Sequence, residues 1–173
     1  MIITSASFTQ NNTIDSLKRG LKNGMEDTAK VNILNTLSYA YGNTDAETGL
    51  SYGKQALALA EKLNWKPGIA KAYKCMGNNY FSLGDADKAL EYFQKALTIN
   101  EQSGNLIAIA ENLNLIGNAY QALSEYLKAV EYCQKALSLS EKEGSKLNIS
   151  NSLNNLGILY ESLGDYPKAL ESF

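Results

Sequence analysis

The sequence contains no histidine, and this absence removes the usual tools of acid–base and nucleophilic catalysis. A serine or cysteine nucleophile activated by histidine is impossible, and so is signalling through phosphohistidine on this segment. There is no P-loop, dinucleotide fingerprint or H-E-x-x-H motif. Paired carboxylates lie at predicted helix starts, where they cap the helix and interact favourably with its dipole. We therefore expect a protein that is not an enzyme and holds no cofactor or metal.

Proline is also scarce, with 2 residues among 173, while Ala, Leu, Lys, Glu and Gln fill long stretches. This composition favours helices over sheets. No apolar run approaches the roughly 20 residues that cross a bilayer. The formal net charge is -2 and the basic residues are scattered, so the sequence lacks the clustered positive charge of a nucleic-acid-binding surface. The chain is predicted to be all-α, with no nucleic-acid partner and no segment inserted in a membrane.

Cysteine is limited to Cys75 and Cys133, each within a helical apolar pattern. We expect buried thiols here, not a disulfide or a reactive pair. The first ten residues contain small side chains like the end of a secretory signal, but they lack a basic segment and a full apolar core. A signal remnant would favour a periplasmic or other extracytoplasmic location; a simple disordered N-terminus would leave the cytoplasm as the alternative.

A period of 40 residues runs through most of the chain. It is shown by Gly77, Gly117 and Gly157, by Tyr80, Tyr120 and Tyr160, by Leu83, Leu123 and Leu163, and by Ala89, Ala129 and Ala169. Within a unit, apolar residues recur every three or four positions, as in Leu113, Ile116 and Tyr120, which predicts one face of a helix. Gly84-Asp85 and Gly164-Asp165 separate successive helices, because glycine suits the end of one and aspartate caps the next. Each unit is therefore predicted to be a helical hairpin.

These residues resemble the tetratricopeptide (TPR) motif, W-x2-L-G-x2-Y followed by A-x3-F. The L-G pair is supplied by Met76-Gly77, Ile116-Gly117 and Leu156-Gly157, and the A-x3-F pair by Ala89 to Phe93, Ala129 to Cys133 and Ala169 to Phe173. Large apolar residues replace the tryptophan. The longer period implies longer helices, as in the repeats of kinesin light chains, LGN/Pins adaptors and Rap-type regulators. The resemblance implies a right-handed α-solenoid of antiparallel helical hairpins, the TPR superhelix, that acts as a binding scaffold.

The period predicts how the chain is divided. We expect a disordered N-terminus or signal remnant at 1–12, a capping helix at 13–25, a degenerate TPR 1 at 26–65, TPR 2 at 66–105, TPR 3 at 106–145, and TPR 4, truncated in its second helix, at 146–173. Gly49 and Gly53 stand where TPR 1 should carry alanine and an aromatic residue. That hairpin is either loosely packed or admits a bulky neighbour. The unfinished last helix indicates a piece of a longer protein and an apolar end that allows homo-oligomers.

The resemblance also implies where a partner binds, namely on the first helix of each hairpin, which lines the concave side. The family's contact positions map onto Asn35, Tyr39, Lys71, Lys74, Asn78, Phe81, Asn114, Asn118, Gln121, Asn151 and Asn154. A primary amide both donates and accepts hydrogen bonds, as every residue of a peptide backbone does, so an asparagine row suits an extended peptide. The two lysines add a contact for a carboxylate, although the complete carboxylate clamp of some TPR proteins is absent. The alternative is that these asparagines are solvated polar residues of an asparagine-rich protein.

Two binding functions stay open on the sequence. Short stretches beginning at Ile14, Glu26 and Leu37 resemble the N-terminal region of TPR-containing sensor kinases and cyclases of Bacteroidetes-type bacteria. That resemblance implies the sensory or docking part of a bacterial signalling protein. The alternative is a free-standing TPR adaptor in complex assembly, and a remote one is a fragment of an enzyme whose catalytic domain is absent. The expected partner is a protein or a peptide in each case.

Overall fold

The computed structural model describes residues 14–21 and 27–173, and every regular element within these ranges is an α-helix. Residues 14–21 form α1. The later helices are α2 (Thr28–Tyr41), α3 (Ala46–Lys62), α4 (Lys66–Ser82), α5 (Ala86–Ser103), α6 (Leu106–Ala122), α7 (Tyr126–Glu143), α8 (Lys146–Ser162) and α9 (Tyr166–Ser172). The all-α prediction is confirmed. The predicted N-terminal segment 1–12 and the ends of the predicted capping segment lie outside the described residues.

The chain forms two compact units, unit 1 ending at Gly84 and unit 2 beginning at Asp85. We call α2, α4, α6 and α8 the A helices, and α3, α5, α7 and α9 the B helices. In unit 1, α3 packs against both α2 and α4, and α2 also contacts α4. In unit 2, each helix packs against the next in sequence, and α6 also contacts α8. Each unit therefore places two A helices side by side.

Short polar side chains cap the starts of α2, α3, α5, α6 and α9, whereas α4, α7 and α8 begin without a side-chain cap. The carboxylates of Asp45, Asp85 and Asp165 and the amide oxygen of Asn105 each accept a hydrogen bond from the backbone N–H three residues further on. This satisfies a donor that the first helical turn leaves unpaired. The lysines that follow Asp85 and Asp165 also donate to them, which holds the pKa of both carboxyl groups below the ordinary value. The predicted role of aspartate at these turns is confirmed.

The helix ends show the complementary feature, a left-handed backbone. Gly84, Gly104, Gly144 and Gly164 have φ between 67° and 80°. Ser124 adopts the same conformation, with φ of 61°, at the turn between α6 and α7. A Cβ on Gly84 or Gly164 would meet no atom within 4 Å. Glycine is therefore favoured at these turns by backbone conformation and not by lack of space.

Two glycines on α3 leave room for side chains of the neighbouring helix α4. A Cβ on Gly49 would overlap Oδ1 of Asn79, and a Cβ on Gly53 would lie 2.6 Å from Cγ of Met76. Asn79 and Met76 belong to α4, and their exposed fractions are 0% and 2%. The missing side chains of α3 therefore make room for two bulky side chains of the neighbouring helix. This is the second of the two alternatives that the sequence left open.

In unit 2 the glycine of each L-G pair lies directly against the last residue of the A-x3-F pair that follows it. A Cβ on Gly117 would lie 2.5 Å from Sγ of Cys133, and one on Gly157 would lie 2.7 Å from the ring of Phe173. Glycine thus allows α6 to approach α7, and α8 to approach α9 and the residue after it. Ala129 and Cys133 continue this packing into a buried cluster with α8.

Candidate functional site

The predicted partner-binding residues separate into two groups by burial. Exposed or half-exposed side chains belong to Tyr39, Lys71, Lys74, Asn78, Phe81, Asn118, Gln121, Asn151 and Asn154. The other two, Asn35 and Asn114, are only 0% and 7% exposed. The expectation that the whole asparagine row faces a partner is therefore wrong for Asn35 and Asn114.

The two buried asparagines join neighbouring A helices. Nδ2 of Asn35 on α2 donates to the backbone oxygen of Gly68 on α4, at 3.3 Å. Nδ2 of Asn114 on α6 donates to Oγ of Ser152 on α8, at 2.8 Å. Both side chains are buried because the next A helix packs over this position. Asn154, which follows Asn114 by one period, is exposed on α8.

Asn79 on α4 is a third buried amide, and the motif did not single it out. Its Nδ2 lies 3.2 Å from the backbone oxygen of Ser38, 3.1 Å from Oγ of Ser38 and 2.7 Å from the backbone oxygen of Cys75. These acceptors fix the amide against α2 while its oxygen points at Gly49. The only sequence signal for this arrangement is the pair of glycines on α3, which marks a space without saying what fills it.

The predicted contact residues of unit 1 that keep exposed surface are mostly basic or aromatic, and we call this set the unit 1 face. They are Tyr39 on α2 and Lys71, Lys74, Asn78 and Phe81 on α4. The α4 residues recur at three and four positions, so they share one side of the helix. Tyr39 is 68% exposed and Phe81 is 40% exposed. The sequences of α2 and α4 contain four lysines and no aspartate or glutamate.

Unit 2 carries a different surface, which we call the unit 2 face. It consists of Asn118 and Gln121 on α6 and of Asn151 and Asn154 on α8. The sequence of α6 contains one glutamate and no basic residue, and that of α8 contains one lysine and one glutamate. The unit 2 face is therefore rich in amides and close to neutral.

Both cysteines are buried thiols, as predicted. Burial raises the pKa of Cys75 to about 11 and that of Cys133 to about 12. Lys74 and Lys71 favour the thiolate of Cys75, but desolvation outweighs them. Neither thiol is therefore activated as a nucleophile.

The described residues offer little else for chemistry. Across 14–21 and 27–173, no three histidine, cysteine, aspartate or glutamate side chains come together as metal ligands. Within the same ranges, each helix falls short of the length and apolarity of a membrane-crossing segment. The two faces on the A helices therefore remain the candidate binding surfaces that the sequence predicts.

The architecture defines a class of protein, the α-solenoids built from helical hairpins. Residues 70–103 and residues 106–173 each match a family model described as tetratricopeptide repeat. The chain is a tetratricopeptide-repeat protein, as its motif predicts. No curated protein matches it in sequence.

Solved structures agree with this fold. A Rap protein complexed with competence and sporulation factor superposes with a TM-score of 0.85 at 22% identity, over 96% of this chain and 48% of that one. The TPR-sensor STAND protein PH0952 of Pyrococcus horikoshii gives 0.82 at 25% identity, over 99% and 27%. Kinesin light chain-like repeats of Podospora anserina give 0.74 at 16% identity, over 96% and 84%. The chain thus spans about half the length of the Rap protein, and such low identities show the fold alone.

Proposed function

We propose that this protein is an interaction scaffold whose A helices hold an extended peptide or partner segment. The TPR fold is in general a non-catalytic interaction module, and the two family matches support this coarse function. The finer statement concerns where the partner lies. Each unit has its own candidate contact surface, the unit 1 face in unit 1 and the unit 2 face in unit 2.

The proposal rests on the difference in burial between the asparagine side chains at the predicted contact positions. Asn35 and Asn114 are buried and bond to the next A helix, whereas Asn118, Asn151 and Asn154 keep half-exposed or exposed side chains. Asparagine is a mediocre helix residue, so its repeated use on a helix surface needs a reason. Each amide can pair with a peptide N–H and a peptide C=O, which suits an extended chain of variable sequence.

The test compares peptide capture by the wild type and by the triple variant Asn118→Ala/Asn151→Ala/Asn154→Ala. Immobilised peptide libraries are incubated with each protein, and the affinities of the captured peptides are then measured. We expect the triple variant to lose about a hundredfold in affinity, since each of the three lost amides removes hydrogen bonds worth about 1 kcal/mol in total.

The matched control replaces amides on B helices, Gln55→Ala/Gln94→Ala, which are exposed but lie outside both faces. Exposed substitutions of this kind change stability by no more than about 0.5 kcal/mol, so all variants should remain folded. The control should bind like the wild type. Equal capture of the same peptides by the triple variant would show that the unit 2 face is not the binding surface.

We further propose that the scaffold serves as the sensory or docking part of a bacterial signalling protein. The sensory role is motivated by the likeness to the P. horikoshii protein, which is named as having a tetratricopeptide repeat sensor, and the bacterial assignment by the sequence resemblance of the N-terminal stretches. The free-standing adaptor is the alternative, favoured by the likeness to kinesin light chain-like repeats. Reading the complete gene discriminates between them: a kinase or cyclase domain supports the sensor, whereas repeats alone support the adaptor.

A further inference from the structure

A set of buried polar groups joins α2 to α4 in unit 1. Nδ2 of Asn35 donates to the backbone oxygen of Gly68, and the Cys75 thiol donates to the backbone oxygen of Asn35. Nδ2 of Asn79 lies within hydrogen-bond distance of both oxygens of Ser38. All five residues are buried, and we call them the unit 1 seam.

Donors and acceptors do not match within the unit 1 seam. The amide nitrogen of Asn79 carries two hydrogens, yet three oxygens lie within 3.2 Å of it, the third being the backbone oxygen of Cys75. Among the described residues, no donor pairs with Oδ1 of Asn79 or with Oδ1 of Asn35. A buried carbonyl oxygen without a partner lowers stability, because it would accept hydrogen bonds in water. The closed seam is therefore less stable than its burial alone would suggest.

The helix α3 packs on both α2 and α4 but does not interlock with them at the seam. A Cβ on Gly49 would lie 2.9 Å from the backbone oxygen of Ser38 and 2.0 Å from Oδ1 of Asn79, so this glycine touches both helices. Gly53, one turn later, likewise faces both α2 and α4. Neither glycine has a side chain that would have to leave a pocket when α2 moves relative to α4.

Later repeats carry apolar residues where the unit 1 seam has Asn79. One and two periods further along the chain stand Ala119 and Leu159, and both are buried. Leu159 packs in an apolar cluster that also contains Cys133. The fold therefore does not require an amide at this position, and the polarity of the unit 1 seam calls for an explanation of its own.

We propose that the unit 1 seam opens reversibly, so that α2 and α4 separate and rejoin while both remain helical. In the open form, water pairs with the side-chain oxygens of Asn35 and Asn79. Ser38 lies in the last turn of α2, where water can also replace the amide on its backbone oxygen. Such a local transition requires less free energy than global unfolding. It goes beyond the proposed function, because it needs no partner, and it changes the distance from Tyr39 on α2 to the α4 residues of the unit 1 face.

The two buried thiols provide the test, because Cys75 belongs to the seam and Cys133 to the apolar cluster of unit 2. Burial raises the pKa of both thiols, so each reacts with iodoacetamide only when it becomes exposed. The full chain is incubated with dilute iodoacetamide, and peptide mass spectrometry follows both thiols in time. Each rate is divided by the rate of the same thiol in the urea-unfolded chain. On this scale we expect Cys75 to react about tenfold faster than Cys133.

Low concentrations of urea distinguish seam opening from unfolding. The reaction of Cys75 should accelerate only weakly with urea, because opening the seam exposes little surface. Hydrogen exchange should show that the central amides of α2 and α4 are still protected when Cys75 has already reacted. Equal relative rates at Cys75 and Cys133 would overturn the proposal. So would a urea dependence at Cys75 as steep as that of global unfolding.

The double variant Ser38→Ala/Asn79→Leu replaces polar groups of the seam by apolar groups of similar size. Replacing both partners of a buried hydrogen bond can leave stability unchanged, and hydration then favours the open form less. Cys75 should react about tenfold more slowly than in the wild type, and Cys133 at its former rate. The control Gln55→Ala removes an exposed amide from α3 and should change neither rate.

Circular dichroism shows whether the double variant is folded. An unchanged rate at Cys75 in the folded variant would overturn the proposal, because opening would then not depend on the polar groups of the seam. If the variant does not fold, the wild-type rates and their urea dependence decide the question. None of these results affects the proposed function, which is tested by peptide capture.

Discussion

Gly49 and Asn79 illustrate how one residue on α3 depends on another on α4. The amide of Asn79 is fixed by acceptors on Ser38 and Cys75, and its oxygen fills the space that a side chain on Gly49 would occupy. Met76 fills the corresponding space at Gly53, but methionine is flexible and can adjust. The two glycines therefore differ in what their replacement would displace.

We expect Gly49→Ala to lower the free energy of unfolding by up to about 2 kcal/mol, because an overpacking cost of about 1–3 kcal/mol is only partly offset by the gain of about 1 kcal/mol in helix propensity. The new Cβ would also lie 2.9 Å from the backbone oxygen of Ser38, which cannot easily move. Urea unfolding followed by circular dichroism measures the effect. Gly53→Ala is the matched variant and should be milder, since Met76 can rotate away. Equal losses in both variants would show that Asn79 is as adaptable as Met76.

The asparagines show what a sequence motif can and cannot predict at the scale of single residues. Of the asparagines at the TPR contact positions, Asn78 and Asn118 are half-exposed and Asn151 and Asn154 are exposed, and their contact with a partner stays a prediction. The motif misplaced Asn35 and Asn114, because the burial of an A-helix position depends on the helix that follows it in space. The motif did not identify Asn79, because its partners Ser38 and Gly49 lie about 30 to 41 residues away in sequence. A local pattern cannot relate residues so far apart.

At the scale of elements, the turn between α6 and α7 departs from its equivalents. Gly84 and Gly164 occupy the left-handed position after an A helix, but Ser124 occupies it here. A residue with a Cβ is strained in this conformation by about 1–2 kcal/mol, and serine lacks the tolerance of asparagine for it. The third hairpin therefore carries a local strain that its neighbour in unit 2 avoids.

Ser124→Gly should raise the free energy of unfolding by about 1 kcal/mol, because glycine removes that strain at some entropic cost in the unfolded chain. The reciprocal variant Gly164→Ser should lower it by a similar amount, since nothing within 4 Å of its Cβ would clash and only the backbone conformation matters. Chemical denaturation of both variants provides the measurement. A stability that is unchanged in both would mean that these turns are too mobile for φ to matter.

Helices are the elements that the sequence predicts best, for a physical reason. Their apolar spacing, their capping aspartates and the glycines that follow them are local features, and several of the turns between helices carry them. The A helices α4, α6 and α8 begin at Lys66, Leu106 and Lys146, where the 40-residue period places the start of a unit. The division of the chain into four repeats itself stays a prediction. The grouping into two units, which ends unit 1 at Gly84 within predicted TPR 2, has no counterpart in the repeat pattern.

At the scale of the whole molecule, three large exposed apolar side chains lie close together in sequence at α9. Tyr166 and Leu170 on α9 and Phe173 directly after it are 69%, 80% and 69% exposed. Their spacing of four and three residues places them on one side of the helix. A contiguous apolar surface of this kind favours association between protein molecules.

We propose that the molecule self-associates through this surface, as the sequence led us to expect. Sedimentation velocity should show a weight-average mass that rises with protein concentration, and Leu170→Lys should suppress that rise. The control is Leu127→Lys, which alters a leucine on α7 that is 76% exposed. Self-association that persists in Leu170→Lys, or that disappears equally in the control, would assign it to another surface.

The left-handed glycines Gly104 and Gly144 have a consequence at the level of the gene. They follow α5 and α7 with φ of 67° and 68°. The forty residues 105–144 therefore follow one left-handed glycine and end in another. An in-frame deletion or duplication of the corresponding codons would join the chain again at an identical turn. Recombination between such segments can therefore change the number of hairpins while keeping the backbone conformation at the junction, and the number of A helices becomes a heritable variable.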